Sequence, residues 1–221
     1  MAINGYAAWL IKDHIHGEIL SLGYPNFLLN AKGCEKGFGV TPMKFIDPPS
    51  TIRMKGEAKG RQLVETRSLF SQLGATLTCV DAVAHEGVDI VADLNYPQQL
   101  GEFDLVIDAG TIEHCFNIGQ AIINASNAVK VGGTILHTSP MTMVNHGFYN
   151  LNPTLFMDYY KANGFDIIFM SARNERGDGK IIDIAPFGTF DAESGCALYV
   201  LAQRREKLKL VMPIQAKYKS V

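Results

Sequence analysis

The sequence predicts an α/β fold, in which helices cover both faces of a mostly parallel β-sheet and so give three layers. The first observation behind this prediction is that short apolar runs alternate along the chain with stretches of helical periodicity. The second is that three successive apolar runs close on an aspartate, namely Asp81, Asp93 and Asp108. Since parallel strands end at one edge of a sheet, these carboxylates are expected to border a common site there.

Seven apolar runs are predicted as strands, because each has strand length and most end at a glycine or an aspartate. They span residues 17–22, 75–80, 88–92, 103–107, 134–137, 165–170 and 196–202.

Three helices are predicted between these strands, over residues 57–73, 118–129 and 153–162. In the first, apolar residues recur at spacings of three and four, and Gly74 follows as a stop. In the third, Pro153 occupies the first turn, and Asn163 and Gly164 end the helix.

We expect one domain over residues 1–221, with insertions near 30–56 and 174–194 and a short basic C-terminal tail. Both insertions lack a clear periodicity, and long loops of this kind are often functional. The first is either a lid over a bound ligand or a surface loop. The basic residues from Arg204 onward are expected to form a solvated face.

Composition restricts the class of protein. With 47% hydrophobic and 19% charged residues, the chain is typical of folded proteins rather than disordered ones. The net charge of −2 makes a nucleic-acid partner unlikely on electrostatic grounds. No run approaches the roughly 18 apolar residues of a membrane helix, and the N-terminus lacks the pattern of a signal peptide. We therefore expect a cytoplasmic protein without a membrane partner, and a homo-oligomer is left open.

The cysteines and histidines give no sign of a metal site. The four cysteines show no CxxC pair and no zinc-like spacing, so free thiols in a reducing compartment are expected. His14 and His16 lie close together in the sequence, but no cluster of carboxylates accompanies them. We expect no bound metal.

The central segment, FDLVIDAGTIEHCFNIGQAIINASNAVKVGGTILHTSP, and the following NHGFYNLNPTLFMDYYKANGFDI resemble class I S-adenosylmethionine-dependent methyltransferases. The resemblance implies a Rossmann-like sandwich with seven strands, the last antiparallel. It also implies an enzyme that uses S-adenosyl-L-methionine to methylate a small molecule, a sugar or a glycan precursor. The chain departs from the family after the first strand, where the glycine-rich turn is reduced to Gly23 beside Tyr24, Pro25 and Phe27.

The resemblance also implies roles for individual residues. Asp81 matches the carboxylate that binds the ribose, and Asp93 with Leu94 matches the pair that meets the adenine. The remaining implied cofactor-binding residues are Gly23, Asp108, Ala109 and Gly110. Each aspartate is equally compatible with capping a turn or helix after its strand.

Methyl transfer needs an aligned acceptor and, where the acceptor carries a proton, a base. His114 follows the fourth strand, and His146 and Tyr149 follow the fifth, so these three are the candidate catalytic or acceptor-binding residues. Ordinary surface or packing roles are the alternative for each. Two other functions stay open: a catalytically inactive methyltransferase-like protein that binds or assembles with partners, and a nicotinamide-dependent enzyme.

Overall fold

A computed structural model describes residues 2–49, 60–184 and 188–219. Eight strands of the described chain form one large sheet. In spatial order they are β11 (Ile181–Asp183), β10 (Phe165–Asn174), β12 (Cys196–Arg204), β9 (Val129–Pro140), β8 (Phe103–Asp108), β2 (Gly17–Leu22), β6 (Ala75–Asp81) and β7 (Ile90–Val91). A small second sheet contains, in order, β1 (Ala2–Ile3), β3 (Asn26–Phe27), β5 (Leu63–Val64) and β4 (Phe45–Ile46).

The described helices are α1 (Gly5–Ile11), α2 (Ala31–Phe38), α3 (Thr66–Gln72), α4 (Ile118–Asn127) and α5 (Pro153–Ala162). Short 3₁₀ turns occur at Ile112–His114 and Ala216–Tyr218. Within the described chain, no helix combines the length and the apolar character that crossing a lipid bilayer requires.

The direction of the strands confirms the predicted α/β architecture. The neighbours β7, β6, β2, β8 and β9 run parallel, whereas β12 is antiparallel to both β9 and β10. All seven predicted strands are present. The eighth strand, β11, lies inside the predicted insertion 174–194, where it pairs with the end of β10.

Successive side chains of the central strands point to opposite faces of the sheet, so the hydrophobic core has two layers. Ile19 of β2 points to the layer that contains α1 and α3, while its neighbour Leu20 points to the layer of α4 and α5. Because both faces are covered, the strands carry apolar residues on both sides, and this makes their sequences continuous hydrophobic runs.

Two predicted helices have different bounds in the structure. Helix α3 begins at Thr66 rather than at residue 57, because Leu63 and Val64 are buried in the small sheet as β5. Residues 57–59 lie outside the described residues. Helix α4 ends at Asn127 because Val129 already begins β9, where it pairs with Phe103.

The region 30–56 was expected to lack periodic structure, and part of it is helical instead. Asn30 caps α2 by accepting a hydrogen bond from the Gly33 backbone N–H at 2.8 Å. Gly39 ends the helix in the left-handed conformation. Gly33 and Gly37 inside α2 lower its helix propensity, and for this reason the sequence did not predict the helix. Residues 50–56 lie outside the described residues.

The prediction that Arg204 belongs to a solvated basic face is wrong. Arg204 is the last residue of β12 and is only 2% exposed. Its guanidinium donates to the carbonyl oxygens of Val129, at 2.8 Å, and Ser126, at 3.3 Å. It also lies over the Phe165 ring, 5.6 Å from the centroid. Arg204 therefore joins the end of α4 and the start of β9 to the last strand.

We expect Arg204→Ala to lower the free energy of unfolding by about 2–4 kcal/mol, since it leaves buried carbonyl groups without donors. The neighbouring Arg205→Ala is the matched control. Its exposed ion pair with Asp166 predicts a loss of no more than about 1 kcal/mol. Urea unfolding of both variants tests this, and equal losses would contradict the structural role of Arg204.

Candidate active-site cleft

A cleft of about 1100 Å³ opens at the carboxyl ends of β2, β6 and β8. Here β2 lies between β6 and β8, so the chain order reverses on either side of it. Open α/β sheets bind ligands at such a reversal, where the loops that follow neighbouring strands diverge. The topology alone therefore makes this cleft the primary candidate site.

The structure brings six of the ten predicted site residues to the lining of the cleft. These are Gly23, Asp81, Asp93, Leu94, Gly110 and His114. The other four lie outside the lining: Asp108, Ala109, His146 and Tyr149.

Asp81 ends β6 with its carboxylate at the cleft, and its hydrogen bonds stay within the following loop. One oxygen accepts from the Val83 backbone N–H at 3.3 Å, and the other lies 3.2 Å from His85 Nε2. The Glu86 carbonyl and then the Asp81 carboxylate raise the pKa of His85. The half-exposed carboxylate keeps room for further hydrogen bonds from a ligand.

Asp93 and Leu94 form another wall of the cleft. The Asp93 carboxylate accepts hydrogen bonds from the backbone and side-chain nitrogens of Asn95, at 2.9 and 2.7 Å. This is the local turn that aspartate commonly makes after a strand. Leu94 is 6% exposed, and its carbonyl accepts from the Asn124 side chain at 3.0 Å. The turn holds an apolar surface and an exposed carboxylate side by side.

The reduced glycine turn after β2 leaves the cleft open. Gly23 has a φ of 82°, a left-handed conformation that favours glycine, and its N–H donates to the Val80 carbonyl. The Tyr24 hydroxyl donates to Glu65, so this ring is held against the cleft wall. Phe27 is fully buried against Phe38 and Phe70 in the core, away from the cleft.

Tyr24, Glu65 and Arg67 are cleft residues that the sequence did not reveal. Glu65 caps α3 through the backbone N–H groups of Arg67 and Ser68. The Arg67 guanidinium donates to the carbonyl oxygens of Leu77 and Gly87 and to the Asp89 carboxylate. The sequence places Glu65 and Arg67 in the interior of a predicted helix, and only the pairing of β5 brings them to the cleft. Tyr24 follows Gly23 in the turn after β2.

The lining of the cleft is acidic. It contains the five carboxylates of Asp47, Glu65, Asp81, Glu86 and Asp93, against the two cationic side chains of Lys44 and Arg67. The donors of Arg67 are directed to the protein wall. The field in the cleft therefore favours a cationic ligand and disfavours phosphates.

Asp108 lies beneath the cleft and is fully buried. One oxygen accepts from the backbone N–H groups of Thr111 and Ile112, at 3.0 and 3.2 Å. The other lies 2.6 Å from His137 Nδ1, and His137 Nε2 meets the Tyr160 hydroxyl. Since a carboxylate only accepts hydrogen bonds, Nδ1 carries the proton of this contact. Asp108 thus shapes the turn that bears Gly110 and His114.

Glu113 is a second buried acid. It follows β8 in a 3₁₀ turn beside His114, and it was not among the three candidate catalytic residues. Its side chain is fully buried, with one oxygen 3.5 Å from His146 Nε2 and 3.9 Å from His114 Nε2. Burial, and then the charge of Asp108, raise the pKa of Glu113 to about 8. Partial burial, followed by His114, lowers the pKa of His146. The rings of His146 and His114 lie side by side, with their centroids 5.5 Å apart.

Tyr149 is oriented differently from the two histidines. Its hydroxyl donates to the Phe116 carbonyl oxygen at 2.8 Å, which fixes the ring against the segment after the 3₁₀ turn. Its predicted role stays a prediction.

We compared the chain with known protein families, curated proteins and solved structures. No family model matches the chain, and no curated protein matches it. TehB from Haemophilus influenzae has a similar structure, with a TM-score of 0.52 and 14% identity over 91% of this chain and 62% of TehB. The chain thus spans about three fifths of that protein. The sheet order, with antiparallel β12 between β9 and β10, and this likeness confirm the predicted Rossmann-like fold.

Two further solved structures show weaker likeness. The N-methyltransferase NodS from Bradyrhizobium japonicum WM9 has a TM-score of 0.46 and 12% identity, over 90% of this chain and 91% of NodS. The plantazolicin methyltransferase BpumL, solved in complex with SAH, has a TM-score of 0.46 and 10% identity, over 90% of this chain and 82% of BpumL.

We expect Asp108→Asn to lower the free energy of unfolding by about 1–3 kcal/mol, because the amide introduces a donor where the buried site supplies donors already. Asp93→Asn is the matched control, since this side chain is exposed and its turn accepts an amide. Its expected change is within about 0.5 kcal/mol. Urea unfolding measures both, and a neutral Asp108→Asn would contradict the structural role given to this carboxylate.

Proposed function

We propose that the chain is an S-adenosyl-L-methionine-dependent methyltransferase. The observation that carries the proposal is that Asp81 and Asp93, from the ends of two neighbouring strands, border one cleft at the point where the strand order reverses. Carboxylates in these positions suit the hydroxyl and amino donors of an adenosine group.

The cleft residues fit the parts of this cofactor in order. Asp81 would accept hydrogen bonds from the ribose hydroxyls, and Asp93 from the adenine amino group, with apolar Leu94 beside the ring. Gly110 and the adjacent backbone would border the methionine part. Gly23 would allow the chain after β2 to approach the cofactor closely.

The charge of the cleft distinguishes this cofactor from a nicotinamide dinucleotide. A sulfonium cation gains from a lining with five carboxylates and two cations, whereas a pyrophosphate would be repelled. Dinucleotide sites instead use a glycine-rich turn and a helix N-terminus for the phosphates, and the sequence after β2 lacks that glycine pattern. The methyltransferase family also uses a glycine-rich turn after the first strand, so the turn sequence does not separate the two cofactors. The charge of the cleft is what favours the methyl donor.

When bound, the cofactor supplies a methyl group on a positively charged sulfur, which is an excellent leaving group. The chain's own task is then to align the acceptor and exclude water. His114 lines the cleft at the end of β8 and is 51% exposed, so its imidazole can take a proton from an acceptor held there. His146, in contact with Glu113, would support that position.

The acceptor we propose is a small molecule, a sugar or a glycan precursor. Ligand clefts commonly measure about 300–1000 Å³. At about 1100 Å³, this cleft has room for a cofactor together with an acceptor of modest size. Cytoplasmic location and the arrangement of residues 1–221 as one domain are part of the same proposal.

Titration calorimetry with S-adenosylhomocysteine tests the proposal. We expect wild-type protein to bind it and Asp81→Asn to bind about 10- to 100-fold more weakly, because a hydrogen bond to a charged acceptor contributes about 1.5–3 kcal/mol. Asp166→Asn, an exposed carboxylate paired with Arg205, is the matched control and should leave the affinity unchanged.

The outcomes separate the alternatives. No binding by the folded wild-type protein would refute the methyltransferase and favour the inactive binding or assembly protein. Binding of a reduced nicotinamide dinucleotide in place of S-adenosylhomocysteine would favour the oxidoreductase.

A further inference from the structure

We propose that Glu113, His114 and His146 form a binding site for one divalent transition-metal ion at the edge of the cleft. The site goes beyond the proposed methyl transfer, and ion binding does not depend on it.

The three side chains present one carboxylate oxygen and two imidazole nitrogens to a common point. Their ligand atoms all lie within 4.8 Å of one another, and the oxygen lies 3.5 and 3.9 Å from the two Nε2 atoms. A tetrahedral ion with bonds of about 2.0–2.1 Å separates its ligand atoms by roughly 3.3–3.4 Å. The two oxygen–nitrogen distances would have to shorten by about 0.1–0.6 Å, and the two imidazoles would have to turn so that their nitrogens reach the same separation.

The Glu113 carboxylate is the second, independent observation that points to a ligand. It is fully buried, and neither oxygen accepts a hydrogen bond from any other residue in the parts of the chain that the structure describes. Leaving a buried acid without donors is costly, and the charged form costs most. A dication bound between the carboxylate and the two imidazoles would satisfy that acid.

The loop that carries His146 is fastened to the turn that carries Glu113. The Phe148 backbone N–H donates to the Glu113 carbonyl oxygen at 2.9 Å. Gly147 packs so closely there that a Cβ atom would lie 2.8 Å from the same oxygen. Asn145, just before His146, has a φ of 58°, a rare conformation for a residue with a side chain. This loop geometry is thus held where it presents His146 to Glu113.

The donor set identifies the class of ion. Imidazole suits zinc, copper, iron and nickel, and two histidines with one carboxylate also occur at iron sites with open positions. His114 and His146 are 51% and 38% exposed, so the outer side of the ion stays accessible. Of these three residues, His114 lines the cleft and the other two lie outside the lining, so the ion would lie at the edge of the cleft. Resting on the proposed function, this placement predicts an acceptor whose oxygen atoms can bind the ion.

The test uses cobalt(II), whose visible absorption reports its ligands. Chelator-stripped wild-type protein is titrated with cobalt(II), followed by competition with zinc(II). We expect one cobalt(II) per chain, displaced by zinc(II), with affinity at least about tenfold weaker in Glu113→Gln and His146→Ala. His85→Ala is the matched control for cobalt(II) binding, because His85 is an exposed histidine 3.2 Å from a single carboxylate. Its loss should leave the affinity for cobalt(II) unchanged.

Several results would overturn the site. Absence of a cobalt(II) spectrum in folded wild-type protein refutes it, as does equal affinity in all the variants, which indicates an adventitious ion only. Circular dichroism checks that each variant folds. If a variant does not fold, X-ray absorption of cobalt-loaded wild-type protein counts the imidazole ligands instead, and fewer than two would contradict the proposal. Calorimetry with S-adenosylhomocysteine is run separately, so failure of the metal site and failure of the proposed function remain distinct.

Discussion

The hydrogen-bonded chain from Asp108 through His137 to Tyr160 is the constraint on which the site depends. It joins the end of β8 to β9 and to α5 within the core, and all three side chains are fully buried. The second oxygen of Asp108 fixes the turn that follows, and the Thr111 hydroxyl bonds that turn to the Leu22 carbonyl at the end of β2. These bonds hold the ends of β2 and β8 together at the topological reversal, where the cleft opens.

Side chains from the region before β6 form the cleft wall beside the turn that follows β2. In the resembling family, a glycine-rich turn borders the cofactor with bare backbone. Here Tyr24 continues from that turn, and its hydrogen bond to Glu65 attaches it to the first residues of α3. The cleft wall is therefore built from side chains that cap and brace one another rather than from a flexible turn.

The sequence predicted the strands well because burial on both faces produces continuous apolar runs, and every predicted strand occurs in the sheet. It predicted β5 as helix because Leu63 fits a helical spacing, whereas pairing with β4 is a tertiary effect that no local pattern contains. Arg204 was placed on a solvated face for the same reason, since only the fold brings carbonyl groups around its guanidinium. The candidates His114 and His146 lie 32 positions apart in the sequence. Glu113, which directly precedes His114, was not chosen as a candidate, because the sequence does not show that its carboxylate is buried beside both histidines.

Asp108 and Glu113 show why burial alone does not define a role. Both acids are fully buried within a few residues of each other, yet Asp108 accepts three hydrogen bonds, while Glu113 accepts none from another residue in the described ranges. A carboxylate with all its bonds made stabilises a fold, and replacing it leaves donors unsatisfied. A buried carboxylate without such bonds lowers the stability of the folded protein, because its desolvation is not offset by hydrogen bonds. Residues that violate the rules of stable folding, such as a buried acid without hydrogen-bond donors, occur mainly at functional sites. The contrast is consistent with a structural role for Asp108 beneath the cleft, and it supports the proposal that Glu113 binds an ion together with His114 and His146.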